Sequence, residues 1–388
     1  MAVWRSELRV YFDYNATAPL RDSVRQAMVE AMDLLGNASS VHSFGRDVRK
    51  KIENARQKIA ESLGVEPKRV IFTSGATEAN NLALKNFPGR VIVSSIEHDS
   101  VLKVRGDIIT ISVSADGIVD LEHLDNLLGK DPGNLTLVSV MTANNETGVI
   151  QPLAEVIDVA KKHGAYVHSD AVQAIGKMSF PWHTLDMVSL SGHKLSGPAG
   201  IGCLVINPSL PLIPHTKGGG QERFYRAGTE NLIGIAGMAA AIEESLKDNW
   251  AHAEKLRDTL ESLISEIAPD AVVIKKTVNR LSNTSTLYMA GVKSETQIMS
   301  FDLKGFAVSA GSACSSGKVK TSRVLEAMGV DANKNGKIIR VSIGPDANFK
   351  EIDEFVKVWQ SIYEKCSNAK NKYVSNIRGD DHEFAYGA

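Results

Sequence analysis

The sequence predicts an α/β protein in which a large domain built on a mostly parallel sheet is joined to a smaller α+β domain. Three observations carry this. At 388 residues the chain is long for one ordinary domain and suits a large unit plus a smaller one. From Val70 to about Ile206, short apolar runs alternate with turns and amphipathic stretches, the pattern of the strand–helix–strand crossovers that parallel pairing requires. Beyond Ala268-Pro269-Asp270 the remaining strand and helix signals read as α+β.

The elements follow in order. A strand-like Val10 to Asp13 leads into a turn, Tyr14 to Pro19, and a helix from about Asp22 with Val24, Ala27, Met28, Ala31 and Met32 on one face. A polar loop, Gly36 to His42, precedes a helix from Gly45 to Leu63, with Val48, Ile52, Ala55 and Ile59 at helical spacing and Gly64 as its stop. Strands are expected at 69–72, 91–94, 108–111, 135–141, 165–168, 185–190 and 201–206, with connecting helices at 78–85, 121–128 and 153–163. An Ala-rich helical region spans 233–267 without a loop-rich break, and the domain hinge is expected within it. Further strands are expected at 272–274, 285–289, 306–309 and 338–342. The expected division is a large domain over 16–250, a small domain from 1–15 with 251–370, and a polar, aperiodic, mobile tail over 371–388.

Composition excludes several classes. With 43% hydrophobic and 23% charged residues the chain has ample material for a globular core. Its 44 basic and 45 acidic side chains create no overall field for nucleic acid or an anionic membrane. No run approaches the ~18 apolar residues of a membrane span, and the N-terminus lacks the basic-then-apolar order of a leader. Cys203, Cys314 and Cys366 are scattered, with no CxxC pair, which fits a reducing cytoplasm and no structural metal site.

The chemistry gathers at predicted strand ends. Lys194, in Ser191-Gly192-His193-Lys194-Leu195-Ser196-Gly197-Pro198, follows a buried strand and suits a Schiff-base lysine. Taken alone, an His-Lys pair in a polar loop is as readily a solvated surface pair. Thr73-Ser74-Gly75-Ala76-Thr77-Glu78 opens a helix with small residues, which offers free N–H groups to a phosphate or makes an ordinary cap. His98 and Asn145 follow two further strands, and Asp170 leads Gln173 by three residues after another. Pyridoxal phosphate requires a lysine, an acid for its ring nitrogen, a ring neighbour and phosphate donors, and Lys194, Asp170, His98 and the Ala76-Thr77 turn supply that set.

The ordered motifs now add a resemblance. YFDYNATAPL (11–20), SSVHSFGR (39–46), TSGATEANN (73–81), EH (97–98), NNETG (144–148), HSDAVQ (168–173), SGHKLSGPAGIG (191–202), RAGTEN (226–231) and GSACSSG (311–317) together resemble the cysteine desulfurases of the class V aminotransferase group. That resemblance implies a fold-type I pyridoxal 5′-phosphate enzyme with a seven-stranded, mostly parallel sheet. It implies a cofactor site of Ala76, Thr77, His98, Asn145, Asp170, Gln173, Ser191, His193 and Lys194, with Thr229 reaching the phosphate of the other subunit of a homodimer. It implies a substrate site of Asn15, Asn145 and Arg340, and catalysis by Lys194, His98 and Cys314, with no metal. L-cysteine would become L-alanine, and a persulfide on Cys314 would pass to an acceptor such as an iron–sulfur scaffold or a tRNA-thiolation carrier.

Cys314 sits in a stretch without one large apolar side chain, expected as a mobile loop presenting its thiol, whereas Cys203 and Cys366 read as structural. Tyr14, Ala18, Ala38 and Pro345 depart from the usual motifs at the margins of the substrate region. An aminotransferase or selenocysteine lyase on the same scaffold remains the alternative. Transamination needs no thiol, but selenium would accept the same attack.

Overall fold

A computed structural model describes residues 9–311 and 321–379. The chain opens with β1 (Val10–Tyr11), α1 (Asp22–Met32) and α2 (Ser43–Leu63). It continues with β2 (Val70–Thr73), α3 (Ala76–Leu84), β3 (Arg90–Ser94), a short α4 (Asp99–Leu102), β4 (Ile109–Ile111), α5 (Leu121–Gly129) and β5 (Thr136–Ser139). Next come α6 (Leu153–Lys162), β6 (Tyr166–Asp170), β7 (Met187–Ser191), β8 (Gly202–Ile206), α7 (Leu232–Ser245) and α8 (Trp250–Ile267). The remainder comprises β9 (Thr284–Tyr288), α9 (Ser294–Asp302), β10 (Phe306–Ala307), β11 (Ser309–Ala310), α10 (Arg323–Ala327), α11 (Ala332–Asn335), β12 (Ile338–Ser342) and α12 (Phe349–Gly379).

The large sheet has seven strands in the order β2-β8-β7-β6-β5-β3-β4. Only β8 runs against the others, pairing antiparallel with β2 and β7. The expected mostly parallel sheet is therefore present. Its strands are apolar on both sides because helices cover both faces. Period-2 alternation sorts the side chains: Phe72, Val138, Val188, Leu190, Cys203 and Val205 enter one core, while Ile71, Val91, Leu137, Met187, Leu204 and Ile206 enter the other.

Helix α2 shows how local sequence sets an element. The His42 ring accepts from Gly45 N at its start, and Gly64, at φ 65°, turns the chain out at its end. Val48, Ile52, Ala55 and Ile59 bury one stripe against the sheet and α7. At full burial each large aliphatic side chain contributes about 1.5–3 kcal/mol, so this stripe holds the helix far more firmly than propensity does. Helix α7 is apolar nearly all round because it packs between α1, α2 and the sheet.

A smaller sheet, β11-β12-β9, lies on α8 and α12 over a separate core of Phe12, Leu256, Leu260, Phe301, Phe355 and Trp359. Here four expectations are corrected. The helical region over 233–267 is two helices, interrupted at residues 246–249, where the Asn249 side chain caps α8 through His252 N. The strand expected at 272–274 is a single bridge, Val272 to Leu287. The run 306–309 is split: β10 pairs in parallel with β1, and β11 pairs antiparallel with β12, so the chain changes sheets at Val308. Helix α12 continues to Gly379, through residues read as aperiodic tail. Residues 380–388 lie outside the described ones.

Candidate active site

Six co-directional strands bring their C-terminal ends to one edge of the large sheet, the position where open α/β sheets place their ligands. The sequence-predicted residues leave from those ends. Ala76 and Thr77 begin α3 just after β2, and no side chain caps that helix. The nearby carboxylate of Glu78 is already taken by Ser74 N at 2.6 Å and Arg226 Nε at 2.9 Å. Gly202, which starts β8 at the same edge, closes the packing: a Cβ there would lie 2.5 Å from the Leu190 carbonyl oxygen and 2.7 Å from Gly75.

Asp170 ends β6 as a buried carboxylate. Asn80 Nδ2 donates to it at 2.8 Å and Val172 N donates to its other oxygen at 3.1 Å. Asn80 also donates to Ser100 Oγ at 2.9 Å, and Ser100 Oγ lies 2.8 Å from His98 Nδ1. A continuous polar chain thus joins His98 to Asp170 through two residues to which sequence reasoning assigned no role. Their signal was present only as an Asn inside TSGATEANN and a Ser two positions after His98.

Glu97, before His98, is fully buried. Met141 N donates to its Oε1 at 2.5 Å, and its Oε2 has no partner among the described residues. Burial, reinforced by the Asp170 charge, raises its carboxyl well above the usual range.

The other part of the site is organised by Asn15, which is 1% exposed. Its carbonyl accepts from Lys194 Nζ at 2.5 Å and from Gln173 Nε2 at 2.9 Å, and the Ala16 carbonyl accepts from Lys194 at 2.7 Å. Its amide donates to Thr284 Oγ1 on β9 at 2.9 Å and to the Asn145 carbonyl at 3.3 Å. Arg340 Nη1 donates to that same Asn145 carbonyl at 3.0 Å, and Nη2 pairs with Asp13 at 2.6 Å. Arg340 is buried, and among the described residues its Nε has no acceptor. A buried guanidinium N–H without a partner is costly unless a ligand takes it.

Ser191 is buried at the end of β7. His193 lies 3.2 Å from Thr17 Oγ1, and burial, with the Lys194 charge, lowers its imidazolium to about 4. The structure thus gathers Lys194, Gln173, Asn15, Asn145 and Arg340 into one network, with the His98–Asp170 chain on adjacent strand ends. Thr229 is exposed on the connection between β8 and α7, apart from that network. Cys314 lies outside the described residues. The residues that flank its stretch both meet Glu146: Ser322 Oγ donates to Glu146 Oε2 at 2.5 Å, and a Cβ on Gly311 would stand 2.5 Å from that oxygen. Cys203 is buried within β8, where desolvation raises its thiol to about 12, as befits a structural residue. Tyr14, one of the departures, fills the space over Gly344, where a Cβ would come within 2.0 Å of its ring.

The donor set fits pyridoxal phosphate. An uncapped helix start with Thr77, Ser191 and His193 suits the phosphate, a buried and oriented carboxylate suits the ring nitrogen, and Lys194 supplies the amine.

The family model for "Aminotransferase class-V" matches residues 10–355. Cysteine desulfurase IscS of Dictyoglomus turgidum is 38% identical over 376 residues, covering 92% of this chain and 95% of its own. The IscS-like cysteine desulfurase of Mycobacterium tuberculosis is 36% identical over 372 residues, covering 90% and 94%. The X-ray structure of a NifS-like protein from Rickettsia africae superposes with a TM-score of 0.85 at 34% identity, covering 92% of this chain and 99% of that one. With a family model spanning most of its length and relatives of this identity over nine-tenths of it, the chain belongs to the class V aminotransferase family, within its cysteine desulfurase group.

Proposed function

We propose that the protein is a pyridoxal 5′-phosphate-dependent enzyme that converts L-cysteine to L-alanine and carries the sulfur away as a persulfide on Cys314. The observation that carries this reading is the convergence, at one edge of the large sheet, of Lys194 and the oriented carboxylate of Asp170 with the buried Arg340 of the smaller sheet, whose Nε has no described partner. Relatives named as cysteine desulfurases, and a structural neighbour described as "SspA in complex with cysteine" (30% identical, TM-score 0.75), support the substrate.

When bound, the cofactor supplies an electron sink that lets bonds at the amino acid's α- and β-carbons break. Ala76, Thr77, Ser191 and His193 would hold its phosphate, Asp170 its ring nitrogen, His98 its ring face, and Asn145 and Gln173 its remaining polar edge. Thr229, exposed on its loop, would serve the phosphate of the other subunit of a homodimer. Arg340 would bind the substrate carboxylate through Nε, with Asn15 and Asn145 fixing its approach. Lys194 would remove the Cα proton, and His98 would hold or return a proton nearby. The Cys314 thiolate would attack the substrate sulfur. A sulfur–sulfur bond forms as the carbon–sulfur bond breaks, and the carbon takes up a proton to give alanine.

The reading extends to a cytoplasmic enzyme whose persulfide passes to an acceptor protein such as an iron–sulfur scaffold. No described helix is long and apolar enough to cross a membrane. The test is alanine and sulfide production from L-cysteine with dithiothreitol. Equal amounts of both are expected from the wild type, and Cys314→Ala should lose both while retaining the cofactor's visible absorption. A fully active Cys314→Ala would refute the mechanism.

A further inference from the structure

We propose that Lys177 is a second lysine of the active site, a positioning residue whose amine holds the side chains of Asn15 and Gln173 in register around Lys194 and lends the pocket a titratable charge. This rests on the reading above of Lys194 as the cofactor-binding lysine. The Lys177 amine donates to Asn15 Oδ1 at 3.1 Å and to Gln173 Oε1 at 3.2 Å. Those same two residues meet at the Asn15 carbonyl, where Lys194 also donates. The turn that carries Lys177 is latched from α8: Trp250 Nε1 donates to the Gly176 carbonyl at 2.6 Å, and the Lys177 amine stands 5.6 Å from the Trp250 ring centre.

The Lys177 amine therefore sits in a tight polar cage, and its acceptors there are neutral amides rather than a carboxylate. The charged groups that act on it are Lys194, after β7, and Arg340, on β12, both positive; α8 offers an aromatic face and the segment around Asn15 offers amides. Burial first, then those two cations, lowers its ammonium to about 7. Its charge and that of the Lys194 nitrogen are thus coupled: a proton on one disfavours a proton on the other.

The amide acceptors of the cage also give the residue a geometric duty. Without the amine, Asn15 Oδ1 keeps Asn283 Nδ2, at 3.2 Å, as its described donor, and Gln173 Oε1 loses its described donor. Gln173 is then free to rotate away from the Asn15 carbonyl that Lys194 also uses.

The experiment uses the holoenzyme and two variants, Lys177→Gln, which keeps a neutral donor, and Lys177→Met, which keeps none. The visible absorption band is titrated from about pH 6 to 9, and kcat and KM for L-cysteine are measured alongside. Both variants are expected to raise the band's titration midpoint by about half a pH unit, because a repelling cation is gone. Lys177→Met should lose about tenfold or more in kcat, and Lys177→Gln should recover part of it. Midpoints that coincide with the wild type in both variants, or a Gln variant no better than Met, would overturn the proposal.

Should either variant fail to fold or to hold cofactor, wild-type holoenzyme carrying 13Cε-labelled lysine decides. A lysine signal that titrates near neutral pH apart from the one that follows the visible band supports the assignment, and the absence of such a second signal below about pH 9 refutes it. A wild type with no visible band would sink the cofactor reading, while the lysine titration would still decide the fate of Lys177.

Discussion

Arg340→Lys tests the carboxylate clamp proposed above. Among the described residues two of the guanidinium's nitrogens are committed, Nη1 to the Asn145 carbonyl and Nη2 to Asp13, which leaves Nε as the buried donor without a described partner. Lysine keeps a cation beside Asp13, limiting the folding penalty, but it cannot present a planar fork and loses the donor at Nε. A charge-assisted hydrogen bond to a carboxylate contributes about 1.5–3 kcal/mol, which at about 1.4 kcal/mol per tenfold corresponds to a rise in KM of about 10- to 150-fold. A clamp on the carboxylate would grip a group that does not react, so kcat should change much less than KM. The assay is steady-state alanine release against L-cysteine concentration, with visible absorption and thermal melting confirming cofactor and fold. A KM within about twofold of wild type, with both controls intact, would remove Arg340 from the substrate site.

Two further outcomes test the scaffold. The Arg56–Glu222 pair is bidentate, at 2.8 and 3.0 Å, and buried beneath the loop that leads to Thr229. Arg56→Ala should cost about 3–5 kcal/mol in denaturant unfolding, because Glu222 is left buried and uncompensated, and an unchanged midpoint would refute this. His168 bridges Ser139 and Ser189 across three strands and is held neutral by burial, its imidazolium lowered to about 3 from 6.5. Between those values the unfolded chain binds more protons, so stability should fall as pH drops below about 6.5, at up to about 1.4 kcal/mol per unit. His168→Gln should flatten that slope in urea unfolding measured over the same range, and an identical slope would show that other groups cause it.

By itself the sequence determined the repeating strand–turn–helix order, the seven strands of the large sheet and the strand ends at which the candidate site residues stand. Those features are written locally: apolar period, Gly64 after α2, small residues before α3, and Lys194, Asp170 and His98 just past buried runs. Errors arose where pairing partners are distant. A single run at 306–309 serves two sheets because β1 lies at the other end of the chain, and a short polar break at 246–249 is invisible in an otherwise apolar helical composition.

Only the tertiary structure decided which side chains answer each candidate. Lys194 meets a carbonyl 179 positions away, Arg340 meets Asp13 across 327, and Asn80 reaches Asp170 across 90. Lys177, four residues past a predicted contact, became a member of the site through its contact with Asn15, 162 positions away. Local patterns fix where a residue stands on its own element, because backbone geometry repeats over a few residues. Its partners are set by how elements pack, and neither burial nor a buried, unpaired N–H exists until they do.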